Sequence, residues 1–159
     1  MSDSRFQTMR HIECVRNYIS SCITELLNRA TLHDQSKMEF PEVAVFDEFT
    51  PKLKDVVYGS EQYKEMTRKM KPAITHHQQN NRHHPEYFPN GIKGMNLIDL
   101  LELMCDWKAS TMRSKDGDIF RSIEINQERF GYSDDVKAIL ENTATWIENQ
   151  SVIHKAHES

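Results

Sequence analysis

From about Arg5 to Ala30 the chain places Met9, Ile12, Val15, Ile19, Cys22, Ile23 and Leu26 at three- and four-residue steps, the period of an amphipathic helix. Thr31 offers a cap for a second helical start at Leu32, and Pro41 should interrupt or restart whatever begins there. Thr50 and Pro51 read as a further cap and first turn, with Gly59 as the stop. Ser60 opens a helix carrying Tyr63, Met66, Met70, Ile74 and His77, and Pro72 inside it predicts a kink. Between Asn80 and Gly94 two prolines and two glycines break every period, which predicts an ordered loop. Asn96 then caps LIDLLELMCDWKASTM, apolar nearly all round and therefore expected to be central and buried. After a turn at Asp116, Gly117 and Asp118, a short helix runs to Gly131. Ser133 caps a last helix with Val136, Ile139, Leu140, Thr143 and Trp146 on its packed side. No segment alternates as a strand would, so the pattern predicts an all-α fold.

A chain of 159 residues suits one compact domain, expected over 1–159, with the chemistry in about 5–114 and supporting helices in about 118–150. Its apolar runs fall far short of the roughly 20 residues needed to cross a bilayer, and the polar start MSDSRFQTMR lacks a signal-peptide core. These features predict a soluble, cytoplasmic protein with no membrane partner. Cys14, Cys22 and Cys105 are an odd set, two of them in apolar helical patterns, and are expected to be buried free thiols in a reducing compartment. A formal charge of −4 with scattered Lys and Arg argues against a protein that coats duplex nucleic acid.

The histidines change the picture. There are eight, and six of them fall with Asp34 into three groups: His11, then His33-Asp34, then His76-His77 with His83-His84. Imidazole and carboxylate are ligands of choice for Mn, Fe, Zn and related ions. His11 precedes Val15 and Ile19 at four-residue steps, so it faces the same way as the apolar stripe; taken alone it reads more readily as a core histidine than as a ligand. Adjacent histidine pairs ensure that one member of each points inward, with His77 and either His83 or His84 the favoured members. Asp99, Glu102 and Asp106 form an acidic stripe on an otherwise apolar helix, and buried acids need a cation. Lys37, one helical turn beyond His33, and Arg82, beside the second pair, offer positive charge to a phosphate. Glu86 and Glu102 are candidates for moving protons or orienting a ligand.

The order His11, His33-Asp34, histidine pairs, Asp106 resembles the HD-domain superfamily, whose metal motif runs H...HD...H...H...D. Within it the chain looks closest to a family of phage and bacterial proteins carrying HDxSKF, HH-x3-N-x-HH-x-EY(W/F) and E-M-x-C-D. Here these stand as His33 to Lys37, His76-His77 through Asn81 to His83-His84 and Phe88, and Glu102 to Asp106, with Met38 where that family favours Phe. The resemblance implies a helical HD-type bundle and one or two divalent ions of the Mn, Fe, Zn or Mg class. Their ligands would come from His11, His33, Asp34, His77, His83, His84 and Asp106. It further implies a phosphohydrolase acting on a nucleotide or another small phosphoester, in a host cytoplasm if the chain is phage-encoded, and is compatible with a homo-oligomer. An HD-type di-iron oxygenase and a metal-stabilised regulatory protein without turnover are the rival readings.

Overall fold

The computed structural model describes residues 4–53, 56, 60–112 and 117–157, with side chains as far as residue 150. Gly59 and Asp116, expected at turns, lie outside the described residues. The chain is all-α, with no strand among the described residues. No described helix is long and apolar enough to cross a membrane. It divides into two units, Met1–Gln35 and Ser36–Ser159.

The first unit is one long helix, α1, Ser4–Leu32. It runs past Thr31, whose hydroxyl donates to the Leu27 carbonyl at 3.0 Å and so serves the preceding turn instead of starting a new one. The helix is left at His33 and Asp34, and Asp34 adopts φ 58, a left-handed conformation that aspartate tolerates better than most residues. This ending removes the helical spacing that was expected to put Lys37 one turn beyond His33. It also places His33 and Asp34 in a turn and not on a helix face. The apolar stripe of α1 does not bury a single side chain. Cys14 and Cys22 are exposed with it and Cys105 is exposed on its own helix, so none of the three is a buried thiol.

In the second unit a 3-10 turn, Gln35–Met38 at its start, leads through a cis Phe40-Pro41 bond into α2, Glu42–Leu53. Pro41 thus sits just before the first helical residue, where its missing N–H costs nothing. Thr50 and Pro51 lie in the last turns of α2, not at the start of a new helix. Ser60 does cap the next one, α3, Glu61–Asn80, by accepting from the Tyr63 amide at 3.1 Å, and Pro72 lies within its unbroken length. The loop that follows contains two 3-10 turns, Pro85–Tyr87 and Gly91–Gly94. It is tightly seated: a Cβ on Gly94 would meet Phe88 Cβ at 2.9 Å, so the backbone passes Phe88 closer than any other residue would permit.

Asn96 caps α4, Leu97–Thr111, through a capping box completed by Asp99. Then follow α5, Ile119–Phe130, capped by Asp118 and closed by Gly131 at φ 65, and α6, Asp134–His157. The core joins α4, α5 and α6: Met104, Ile119, Ile123, Tyr132, Leu140 and Ala144 are buried together, with Trp107 stacked parallel to Phe130 at 6.3 Å beside them. On α6 the inward face is therefore Val136, Leu140, Ala144 and Ile147. Ile139 and Trp146, expected to pack, face outward, and Trp146 is 63% exposed. The sequence pattern there contains two overlapping apolar stripes, and the core takes only one.

Candidate metal centre

The second unit gathers a histidine cluster where α3 ends and the loop begins. Asn81 closes α3, its amide donating to the His77 carbonyl at 3.1 Å, and the turn closed by the His84 amide on the Asn81 carbonyl at 3.0 Å reverses the chain. The reversal carries His83 and His84 back over His77. Ring centroids lie 4.8 Å apart for His77 and His84, 5.7 Å for His77 and His83, and 4.2 Å for His83 and His84. Each ring offers a ligand nitrogen, and these three atoms lie within 4.8 Å of one another. His77 and His83 are almost fully buried and His84 is half-buried. The second pair thus turns both members inward, where one was expected; from the first pair only His77 does so.

His76 is not one of the three converging rings; its Nδ1 lies 2.7 Å from Glu42 Oε1. The same carboxylate holds His77 Nδ1 at 2.9 Å through Oε2 and accepts from the Ser36 hydroxyl at 3.0 Å, while Asn81 donates to that hydroxyl at 2.8 Å. Glu42 is completely buried. A carboxylate accepts, so His77 carries its proton on Nδ1 and keeps a bare lone pair on its buried Nε2. Beside it, His83 Nδ1 lies 3.3 Å from Glu102 Oε1, within ion-pair distance. Two imidazoles fixed by carboxylates on one nitrogen, with the other buried toward a common point, is the outer-sphere pattern of metal-ligating histidine. His84 adds a buried Nε2 that has no hydrogen-bond partner among the described residues, a costly arrangement that a cation would relieve. The donor set therefore fits a divalent metal ion.

Burial, followed by the neighbouring His83 and His77, holds the His84 imidazole down to about 3, against the pull of Asp106 in the opposite direction. The ring is thus neutral and ready to ligate over the whole physiological range. Above an ordinary histidine value near 6.5, neither folded nor unfolded His84 binds a proton. Below it the unfolded chain takes up a proton that the folded one refuses. Stability of the metal-free protein is therefore expected to fall from about pH 6.5 toward pH 3, by at most about 1.4 kcal/mol per pH unit from this group. Denaturant midpoints measured in chelator should show a shallower acid limb for His84→Gln than for the parent; parallel limbs would refute the assignment.

Asp106 and Lys37 are half-buried near enough to His84 to influence its charge, and Lys37 Nζ lies 5.9 Å from the centre of the Phe46 ring. Arg82, expected to clamp phosphate, instead gives Nε and Nη2 to the two oxygens of the fully buried Asp99, each at 3.1 Å. Its guanidinium also lies over Tyr87 and Phe88, so it braces the loop. Asp99 is thereby a structural acid. Glu86 is bonded to Arg129 at 2.7 Å, away from the cluster. In the first unit His33 and Asp34 are half-buried, His33 Nε2 lying 3.8 Å from Asp34 Oδ2. His11 is exposed on α1, about 32 Å along the helix from Leu32. Two nitrogen ligands of one ion lie only about 4 Å apart. His11 and His33 of one chain thus cannot share an ion, and the expectation that they would is corrected by the continuity of α1.

Glu42 was not foreseen. It stands in no periodic pattern, and only its place in the first turn after Pro41 marked it as a residue near a helix start.

Over residues 1–151 the chain matches the model of a family described as "Family of unknown function (DUF5662)". No curated protein and no solved structure matches it. With the match running through all six described α-helices into the last turns of α6, the chain belongs to the DUF5662 family.

Proposed function

We propose that this protein is a divalent-metal-dependent phosphohydrolase acting on a nucleotide or another small phosphoester. The observation that carries the metal reading is the convergence of His77, His83 and His84, with Glu42 and Glu102 holding the first two by Nδ1. Asp106 adds a carboxylate near His84. His33 and Asp34 enter the ligand set through the HD-type motif order. A bound divalent ion would supply hydroxide near neutral pH and charge for the phosphoryl oxygens. The chain's own residues do the rest. Glu42 and Glu102 keep the His77 and His83 protons on Nδ1 and set the ring planes. Lys37 supplies a point charge for a substrate phosphate. Ser36 and Asn81 fasten Glu42, so the His77 ring is oriented before any ligand arrives.

The test is metal analysis of purified protein, Mn2+ titration of the chelated form, and a phosphate-release screen over nucleotides and small phosphoesters, with oxygen uptake followed in parallel. Stoichiometric metal with chelator-sensitive phosphate release is the expected result. Oxygen consumption without phosphate release would transfer the site to the di-iron oxygenase reading. Failure to bind any divalent ion would end the proposal.

A further inference from the structure

His76 and His77 are consecutive on α3, so their side chains leave the helix about 100° apart. A group lying in the angle between them can be gripped by both. Glu42, in the first turn of α2, takes that place. Its Oε1 lies 2.7 Å from His76 Nδ1 and its Oε2 lies 2.9 Å from His77 Nδ1. Each ring donates, since an ionised carboxylate only accepts. The two oxygens are thereby committed to different rings, and the Ser36 hydroxyl adds a further bond to Oε2 at 3.0 Å. Burial is unequal across this clasp: the Glu42 side chain is wholly buried and that of His77 is 5% exposed, but that of His76 is 42% exposed. A half-exposed imidazole beside a surface acid would contribute little. Beside a wholly buried one it supplies a donor where water does not reach.

We infer that His76 is a positioning residue of the metal centre: it binds no ion itself, and by holding Glu42 Oε1 it fixes the carboxylate plane that aims His77 Nε2. The terminal torsion of a glutamate is broad, so a carboxylate held at one oxygen can swing about its axis. Held at both, it has one plane. That plane sets the direction from which Oε2 meets His77 Nδ1, and with it the tilt of the ring whose buried Nε2 belongs to the cluster. Adjacent histidines thus divide the work, one ligating and its neighbour orienting. The role of His76 rests on the proposed metal reading, under which His77 is a ligand.

The experiment titrates Mn2+ into the chelated full-length protein and into two His76 variants, with helix content and melting temperature in chelator recorded for each. His76→Asn keeps an N–H donor close to the position of Nδ1, whereas His76→Gln carries its amide out toward that of Nε2. His76→Asn should stay within about 2-fold of the parent in Mn2+ affinity. His76→Gln should lose about 3- to 10-fold, less than the 10- to 100-fold that removal of a direct partner costs, because His76 acts one bond further out. In the Glu42→Gln background, His76→Gln should add no further loss, since both act through the same carboxylate. Equal losses in the Asn and Gln variants would overturn the inference by showing that the Nδ1 hydrogen is not what matters. A full additional loss on top of Glu42→Gln would also overturn it, since His76 would then act independently, as a ligand does. A lower melting temperature in chelator with unchanged Mn2+ affinity in both variants would reduce His76 to a tie between α2 and α3 and overturn the inference alone. No Mn2+ binding by the parent would overturn the metal reading, and this inference with it.

Discussion

His84→Ala is expected to lose nearly all bound metal and to lower phosphate release by about 1,000-fold. Removing an outer-sphere partner of a ligand costs 10- to 100-fold in metal affinity or activity, and removing the ligand itself should cost at least about ten times more. Glu42→Gln supplies the graded comparison. It keeps the volume of a completely buried side chain but weakens the acceptor that holds His77 Nδ1, so a loss of about 10- to 100-fold in Mn2+ affinity is expected. Asp106→Ala should resemble His84→Ala, and the two losses should not add, since either one dismantles the shared site. Chelation should lower the melting temperature of the parent and leave that of His84→Ala almost unmoved, because binding stabilises only a fold that can bind. Trp146→Ala is the appropriate control, exposed on α6 and outside the cluster. Asp99→Ala would be a poor one: it strips Arg82 of a buried partner and α4 of its capping box, so it would confuse stability with ligation. Full metal and full turnover in His84→Ala would refute the metal centre.

Ile123→Ala should destabilise the protein by about 2–5 kcal/mol, the usual cost of deleting a large aliphatic side chain that is wholly buried. Ile123 sits among Met104, Ile119, Leu140 and Ala144, where α5 meets α4 and α6, and that dense surround limits collapse into the space left behind. In a chain of this size the loss should appear as a fall of roughly 5–15 °C in melting temperature. Trp146→Ala removes a larger side chain yet should change stability by only about 0.5 kcal/mol, because 63% of that residue already faces water. Thermal unfolding of the two variants side by side decides the matter. A Trp146→Ala loss as large as that of Ile123→Ala would mean that the outer stripe of α6 is covered in solution.

The sequence by itself determined the all-α class, several helix starts and the histidine-rich make-up of the cluster. Helical period, the caps at Ser60, Asn96 and Ser133, and Pro41 just before a helix are local signals, set by backbone hydrogen bonding within a few residues, so they were legible without tertiary information. The clustering of His77, His83 and His84 was legible too, because seven residues and one chain reversal separate them. Periodicity could not say which apolar stripe finds a neighbour. That choice belongs to packing, and it buried Leu140 and Ala144 of α6 while leaving Ile139 and Trp146 outside. Nor could composition assign a charged residue its partner. Arg82 and Asp99 are 17 positions apart and Glu42 and His77 are 35 apart. Desolvation makes an unpaired buried charge too costly to keep, so each acid took the partner that the folded chain brought within reach. Tertiary structure thus made Arg82 a brace, Glu42 the holder of His77, and His11 a residue that one chain alone cannot bring to His33.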